Sequence, residues 1–162
     1  MPPEVTSLVF REATRADLPA VVALLADDDI ARERGSFRTG PGDAEPVPAK
    51  LTAAFEAITA DPRNELVVAD EKGTVVGTCQ LTFIPGLSRG GADRMTIEAV
   101  RVRADRRGAG LGRRMMAYAL GRARERGCAL AQLTTDKRRA DAHRFYESLG
   151  FVASHEGMKL PL

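Results

Sequence analysis

Apolar and polar positions change their period along this chain, and each change marks an element. "LVFREAT" (8–14) reads as a first strand. Thr14 and Asp17 have the spacing of a capping box, and "LPAVVALLAD" then runs at helical spacing. Residues 35–48, rich in Gly and Pro, predict a loop. "AKLTAAFEAITA" (49–60) predicts a second helix, stopped at Asp61-Pro62 because a residue before proline avoids helical geometry. "ELVVAD" and "TVVGTCQLTFI" flank Glu71-Lys72-Gly73 and predict a hairpin. After the loop "PGLSRGGADR", "MTIEAVRV" (95–102) predicts another strand. A helix follows over 111–126, with Leu111, Met115, Ala119 and Leu120 as its core stripe and Gly127 as its stop. "CALAQLTT" predicts a buried strand, "RADAHRFYESLG" a helix, and "FVASHEGMKLPL" a last pair of short strands. The order β-α-α-β-β-β-α-β-α-β-β predicts an α/β (α+β) fold. It is a single domain over residues 1–162, with a mixed, twisted sheet of about seven strands and four helices.

Composition adds bounds. The chain has 162 residues, 44% of them hydrophobic and 28% charged, enough for one domain with a real core. No apolar run approaches the roughly 20 residues that cross a bilayer. The start "MPPEVTSLVF" lacks the pattern of a secretory signal. Cys79 and Cys128 are the only cysteines, too few for a disulfide framework, and His143 and His155 have no ligand cluster beside them. These features predict a reduced, cytoplasmic protein without a metal. Asp27-Asp28-Asp29 closes the first helix, as a solvated run or an attractor for a cation.

Net charge is only +2, but its distribution is uneven. Arg101, Arg103, Arg106, Arg107, Arg113, Arg114, Arg122, Arg124 and Arg126 crowd a segment whose acidic residues are Asp105 and Glu125. Most of Arg113, Arg114, Arg122, Arg124 and Arg126 would form an exposed helix face. The modest net charge argues against nucleic acid as partner.

Within that segment, "RADRRGAGLGRR" (103–114) places glycines at 108, 110 and 112 between a strand and a helix start. A helix start carries unpaired N–H groups and about half a positive charge. Bare positions there let an anion reach the N–H groups, which makes a phosphate cradle. The letters do not fit a Walker loop, since Arg113-Arg114 follows Gly112. A dinucleotide fingerprint fails too, because Arg113 stands where its last glycine belongs.

What remains, Arg107-x-x-Gly110-x-Gly112 after "IEAVRV", resembles the coenzyme A signature of the GNAT superfamily of N-acetyltransferases. "AHRFYESLGF" (142–151) is similar to that family's A-x-x-x-Y-x-x-x-G-F segment, and the element order agrees along nearly the whole chain. The resemblance implies acetyl-CoA as co-substrate, with its pyrophosphate on the backbone of Arg107, Gly108, Ala109, Gly110, Leu111 and Gly112. It also implies that the pantetheine arm pairs with the preceding strand at Val100 and Val102. Many members carry Asn seven residues before the tyrosine. Here Arg139 stands there, so it either reaches a cofactor phosphate or begins a solvated helix.

Acetyl transfer needs a neutral amine, a donor for the developing oxyanion and a proton for the leaving thiolate. A free alkylamine, with a pKa near ~10, is mostly protonated at neutral pH. The resemblance assigns the oxyanion donor to the Val100 N–H and the general acid to Tyr146, whose other reading is a helix aromatic packed on the sheet. Glu98 is the candidate base: it interrupts an apolar strand and, by alternation, shares a face with Val100 and Val102. Its other reading is a salt bridge to Arg94 or Arg101.

The resemblance implies an acceptor pocket walled by residues 27–48, 83–94 and 152–158, where acidic side chains favour a small cationic amine. A non-catalytic acyl-CoA-binding module and a peptide N-terminal acetyltransferase are the alternatives, and a homodimer is open to this fold.

Overall fold

The computed structural model describes residues 7–27 and 46–162. Strand β1 (Leu8–Glu12) leads through a 3-10 turn, Arg15–Asp17, into helix α1 (Leu18–Ala26). Asp17 accepts the Thr14 N–H at 2.7 Å, the expected cap, and it also holds Arg11 at 2.7 and 2.9 Å. Helix α2 (Ala49–Ala60) ends as the sequence predicts, with Asp61 in extended geometry before Pro62. Of the expected 35–48 loop, residues 35–45 lie outside the described residues, as do Asp28 and Asp29.

Strands β2 (Asn64–Glu71) and β3 (Thr74–Ile84) form the predicted hairpin. Lys72 and Gly73 both have positive φ, 52° and 87°, which suits the twist of a two-residue turn. Strand β4 (Arg94–Val102) follows, then a 3-10 turn (Ala104–Arg106), helix α3 (Leu111–Glu125), strand β5 (Leu130–Leu133) and helix α4 (Ala140–Ser148). The sheet order is β1-β2-β3-β4-β5, antiparallel except for the parallel β4–β5 pair.

One face of the sheet packs Val67, Leu81, Phe83, Met95 and Ile97 against Met115, Met116 and Ala119 of α3. The other face receives Leu18 and Val22 of α1 and Phe55 of α2. Leu111, Met115 and Ala119 are buried as expected. Leu120 is half-buried, and Met116 takes the core position instead.

Two expectations change. Among the described residues the sheet has five strands rather than about seven, because residues 151–162 form neither of the two strands expected of them. Nor is β4 a regular alternating strand. Gln80 pairs with Glu98 but Thr78 pairs with Arg101, so β4 carries an extra residue opposite Cys79. The extra residue is a bulge, and Ala99 within it has φ of 52°.

Candidate active site

The bulge decides which way the central side chains of β4 face. Residues directly opposite one another share a face, and Thr78 and Gln80 lie on the same face of β3. Glu98 and Arg101 therefore face α1 and α2. Val100 and Val102 face the opposite way and pack against the core cluster of α3. This corrects the period-2 expectation that placed Glu98 with Val100 and Val102, since the alternation slips by one residue at Ala99. Glu98 is exposed and makes no ion pair with a described residue, so the salt bridge to Arg94 or Arg101 does not form among them.

Beyond the bulge, β4 has a free edge. Its parallel pairing with β5 stops at Ile97–Leu133, whereas β4 itself runs on to Val102. The two strands part there, and on that side Glu98 to Val102 have no strand partner among the described residues. Two arginines reach back to this edge. Arg101 donates to the Val100 carbonyl at 2.9 Å and Arg107 to the Val102 carbonyl at 3.1 Å.

The edge leads directly into the glycine turn. Gly108 and Gly110 have φ of 80° and 82°, which favours glycine, and a Cβ on either would meet nothing within 4 Å. Gly110 caps α3, and the Arg114 N–H is the one that reaches back to the Gly110 carbonyl, at 3.1 Å. The N–H groups of Leu111, Gly112 and Arg113 thus point out of the helix end. At Gly112 a Cβ would lie 3.6 Å from Phe145 and 3.8 Å from Val102, in ordinary contact. An open, side-chain-free rim over outward N–H groups fits a diphosphate.

Sequence reading missed Gly77. A Cβ on it would come within 3.1 Å of Leu111 and 3.2 Å of the Arg101 carbonyl, so a bare residue here lets the start of α3 close onto the sheet. A glycine inside a strand was the available signal for such a close approach.

Tyr146 comes from α4 and is half-buried, with its ring edge-on to Phe145 and Phe151 at centroid distances of 5.1 and 5.9 Å. Its hydroxyl bonds to no described residue, yet it is not sealed in the core. Burial pushes its pKa up, and the nearby charges of Arg139 and Arg101 pull it back in part. The phenol therefore stays protonated at neutral pH. Both readings of Tyr146 meet here: the ring packs, and the hydroxyl remains available. Arg139 sits just before α4, half-buried, and its carbonyl accepts the His143 N–H at 3.1 Å. Cys79, opposite the bulge, is fully buried and its thiol is pushed up to about 12, so it is no nucleophile.

On the α1–α2 face, a pocket of about 110 Å³ opens against the bulge. Leu18, Val22, Leu51 and Phe55 wall it, with Thr78, Gln80 and Ala99 at its floor. Of the five arginines expected to form an exposed helix face, Arg113, Arg114, Arg124 and Arg126 are exposed and Arg122 is half-buried. Arg106 pairs with Glu71 at 2.8 Å, Arg103 with Asp105 at 2.6 Å, and Arg122 with Glu65 at 2.5 Å.

Residues 28–151 match the model of the acetyltransferase (GNAT) family. The chain belongs to that family. It is an acetyltransferase, and the family implies use of acetyl-CoA. It is 35% identical over 149 residues to an aminoalkylphosphonate N-acetyltransferase of Salmonella typhimurium, covering 90% of this chain and 86% of that protein. A glucosamine 6-phosphate N-acetyltransferase of Trypanosoma brucei brucei is 36% identical over 90 residues, 56% of this chain and 59% of that protein. Among solved structures, that of a transcriptional regulator from Bacillus halodurans C-125 superposes with a TM-score of 0.88 at 47% identity. It covers 96% of this chain and 99% of the other. No helix among the described residues is long and apolar enough to cross a membrane.

Proposed function

We propose that the chain moves the acetyl group of acetyl-CoA to the primary amine of a small molecule, by direct attack in a ternary complex. The observation that carries this reading is the continuity of the bulged β4 edge with the glycine turn. A strand edge able to pair with an extended amide-bearing arm ends at N–H groups able to hold its diphosphate. Bound acetyl-CoA supplies the activated acyl group. The chain's residues do the rest.

Arg107 to Gly112 hold the diphosphate, while Val100 and Val102 align the arm along β4. The Val100 N–H donates to the oxygen on which charge develops. Tyr146 gives its proton to the leaving sulfur, a task suited to a phenol kept protonated by burial. Arg139, whose charge is felt at Tyr146, tunes that phenol or holds a cofactor phosphate.

The bulge gives Glu98 a place different from the one its letters suggested. It faces α1 and α2, the side on which the pocket opens, so the base and the amine share one face and approach a thioester held at the β4 edge. Glu98 takes the amine's proton, directly or through a water. Both curated relatives are named for small amine acceptors, which supports a small molecule over a peptide end.

The test is thiol release from acetyl-CoA across a panel of amines, aminoalkylphosphonates among them, with the enzyme alone as background. Amine-dependent release is expected. Tight cofactor binding with no release from any amine would instead favour a non-catalytic acyl-CoA-binding module.

A further inference from the structure

On the Glu98 face of the sheet, the two helices turn apolar stripes toward a space that they leave unfilled. Leu18, Val22 and Leu25 of α1 and Leu51, Phe55 and Ile58 of α2 line the pocket of about 110 Å³. Each set recurs at steps of three and four residues, so each is one face of its helix. Close-packed interiors leave few voids larger than a water, which needs only about 10–15 Å³. Leu25, Leu51 and Ile58 stay half-buried, apolar surface that a ligand would cover.

No charged side chain lines this space among the described residues. Arg101, which shares the face, instead donates to the Val100 carbonyl at 2.9 Å. The polar groups at the floor are few. The Thr78 hydroxyl is spent on the Val67 carbonyl at 2.8 Å. Gln80 is oriented by a relay that starts at Asp61. The Asn64 amide nitrogen donates to Asp61 at 3.0 Å, which turns the Asn64 oxygen to the Thr82 hydroxyl at 2.8 Å and to the Gln80 nitrogen at 3.4 Å. The Gln80 amide oxygen is left as an acceptor without a partner among the described residues, and Glu98 stands opposite Gln80 in the β3–β4 pairing.

Given the acetyl transfer proposed above, on which this rests, we infer that the acceptor is a primary amine on a short, uncharged apolar body. The body fills the space between α1 and α2, and the amine lies at its floor, where Gln80 and Glu98 accept its hydrogens. An apolar cavity of about 150 Å³ holds benzene, so this smaller one takes roughly four or five carbons. A phosphonate or phosphate, as in the acceptors for which the two curated relatives are named, would be stripped of water against walls that offer no described cation.

Calorimetry on the full chain saturated with coenzyme A tests this, because that complex has no acetyl group to transfer. Ethylamine, propylamine, butylamine and pentylamine share one head group, so differences among them report the body alone. Each added carbon should tighten binding about fourfold. Pentylamine should also bind at least about tenfold more tightly than aminoethylphosphonate. Ala54 is exposed on α2 and lines the pocket, so Ala54→Leu fills it without disturbing the core, with circular dichroism as the check on folding. That variant should flatten the series to less than about twofold per carbon. A flat series in the parent, tighter binding of aminoethylphosphonate, or an unchanged series in Ala54→Leu overturns the inference. A rising series with no thiol release from acetyl-CoA would leave the ligand of the pocket as assigned and overturn the transfer. Release with a flat series would do the reverse.

Discussion

Glu98 and Val100 stand two residues apart on one strand yet face opposite sides of the sheet, because Ala99 between them has φ of 52°. In the proposed reading, the bulge lies between the strand edge that pairs with the cofactor arm and the face on which the amine enters. An L-residue in the left-handed region costs about 1–2 kcal/mol, and a β-branched one fares worse. Ala99→Val should lower stability by about 1–2 kcal/mol in urea unfolding and lower kcat/KM by more than that loss explains. Ala99→Gly should stay within about 1 kcal/mol of the parent and retain activity. A valine variant with unchanged stability and rate would mean that the bulge is neither strained nor needed.

Tyr146 and Glu98 separate by their pH profiles. Tyr146→Phe removes a hydroxyl that bonds to no described residue, so stability should hold while turnover falls about 10²–10⁴-fold. Acetyl-CoA affinity should not move. Glu98→Gln should lose rate most where the acceptor amine is largely protonated, and recover as pH rises toward the amine's own pKa. A flat loss across pH would demote Glu98 to a binding role.

The glycine turn has a built-in control. Gly110 and Gly127 have φ of 82° and 71° and cap opposite ends of α3, and a Cβ on either would meet nothing within 4 Å. Alanine at either should cost about 1 kcal/mol in stability through the same backbone strain. Calorimetry should then show acetyl-CoA bound at least about tenfold more weakly by Gly110→Ala alone, a difference of about 1.4 kcal/mol. Equal affinity in both variants would remove the cradle from the binding site.

Local signals carried much of this architecture. Pro62 announced the end of α2, Lys72-Gly73 the hairpin, and three bare positions the turn before α3. Each depends on the conformational range of a single residue, which letters encode directly. The bulge escaped because alanine has no preference for positive φ; its conformation follows from how β3 and β4 are held by their neighbours. The face of Glu98 was misread with it. The pair of strands expected over 151–162 does not form, because a strand needs an edge to pair with and alternation alone does not show that one is in reach. The pairing of Glu65 with Arg122 was equally hidden, since it joins residues distant in the chain.

Strong acid should loosen the N-terminal clamp. Arg11 donates to Asp17 at 2.7 and 2.9 Å and the Thr14 N–H adds a third bond, so the Asp17 carboxyl is held down at about 2 from an ordinary 3.8. A carboxylate with a depressed folded-state pKa contributes stability that is complete above its unfolded value and fades as pH falls through its folded one. Thermal melts should therefore lose this contribution between about pH 4 and pH 2. Asp17→Asn should be less stable at pH 7 and show a shallower decline across that window. The same slope in both proteins would assign the acid sensitivity to other carboxylates.

Glu65 is the most deeply placed carboxylate of the ion pairs, with its side chain only 4% exposed. Arg122 grips it through two nitrogens at 2.5 and 3.0 Å, and Arg126 adds a third at 3.6 Å while its guanidinium lies 3.9 Å above the Phe83 ring. The cluster ties α3, and with it the glycine turn, to β2. Removing one partner of a buried pair strands the other charge, which costs about 3–5 kcal/mol. Arg122 keeps Glu125 and some access to water, so Glu65→Ala should cost near the lower end, about 3 kcal/mol. Replacing Glu65→Met and Arg122→Met together should recover much of that loss, since no charge is left stranded. A double variant as unstable as the sum of its singles would mean that the two residues stabilise the fold independently, by packing and not by pairing.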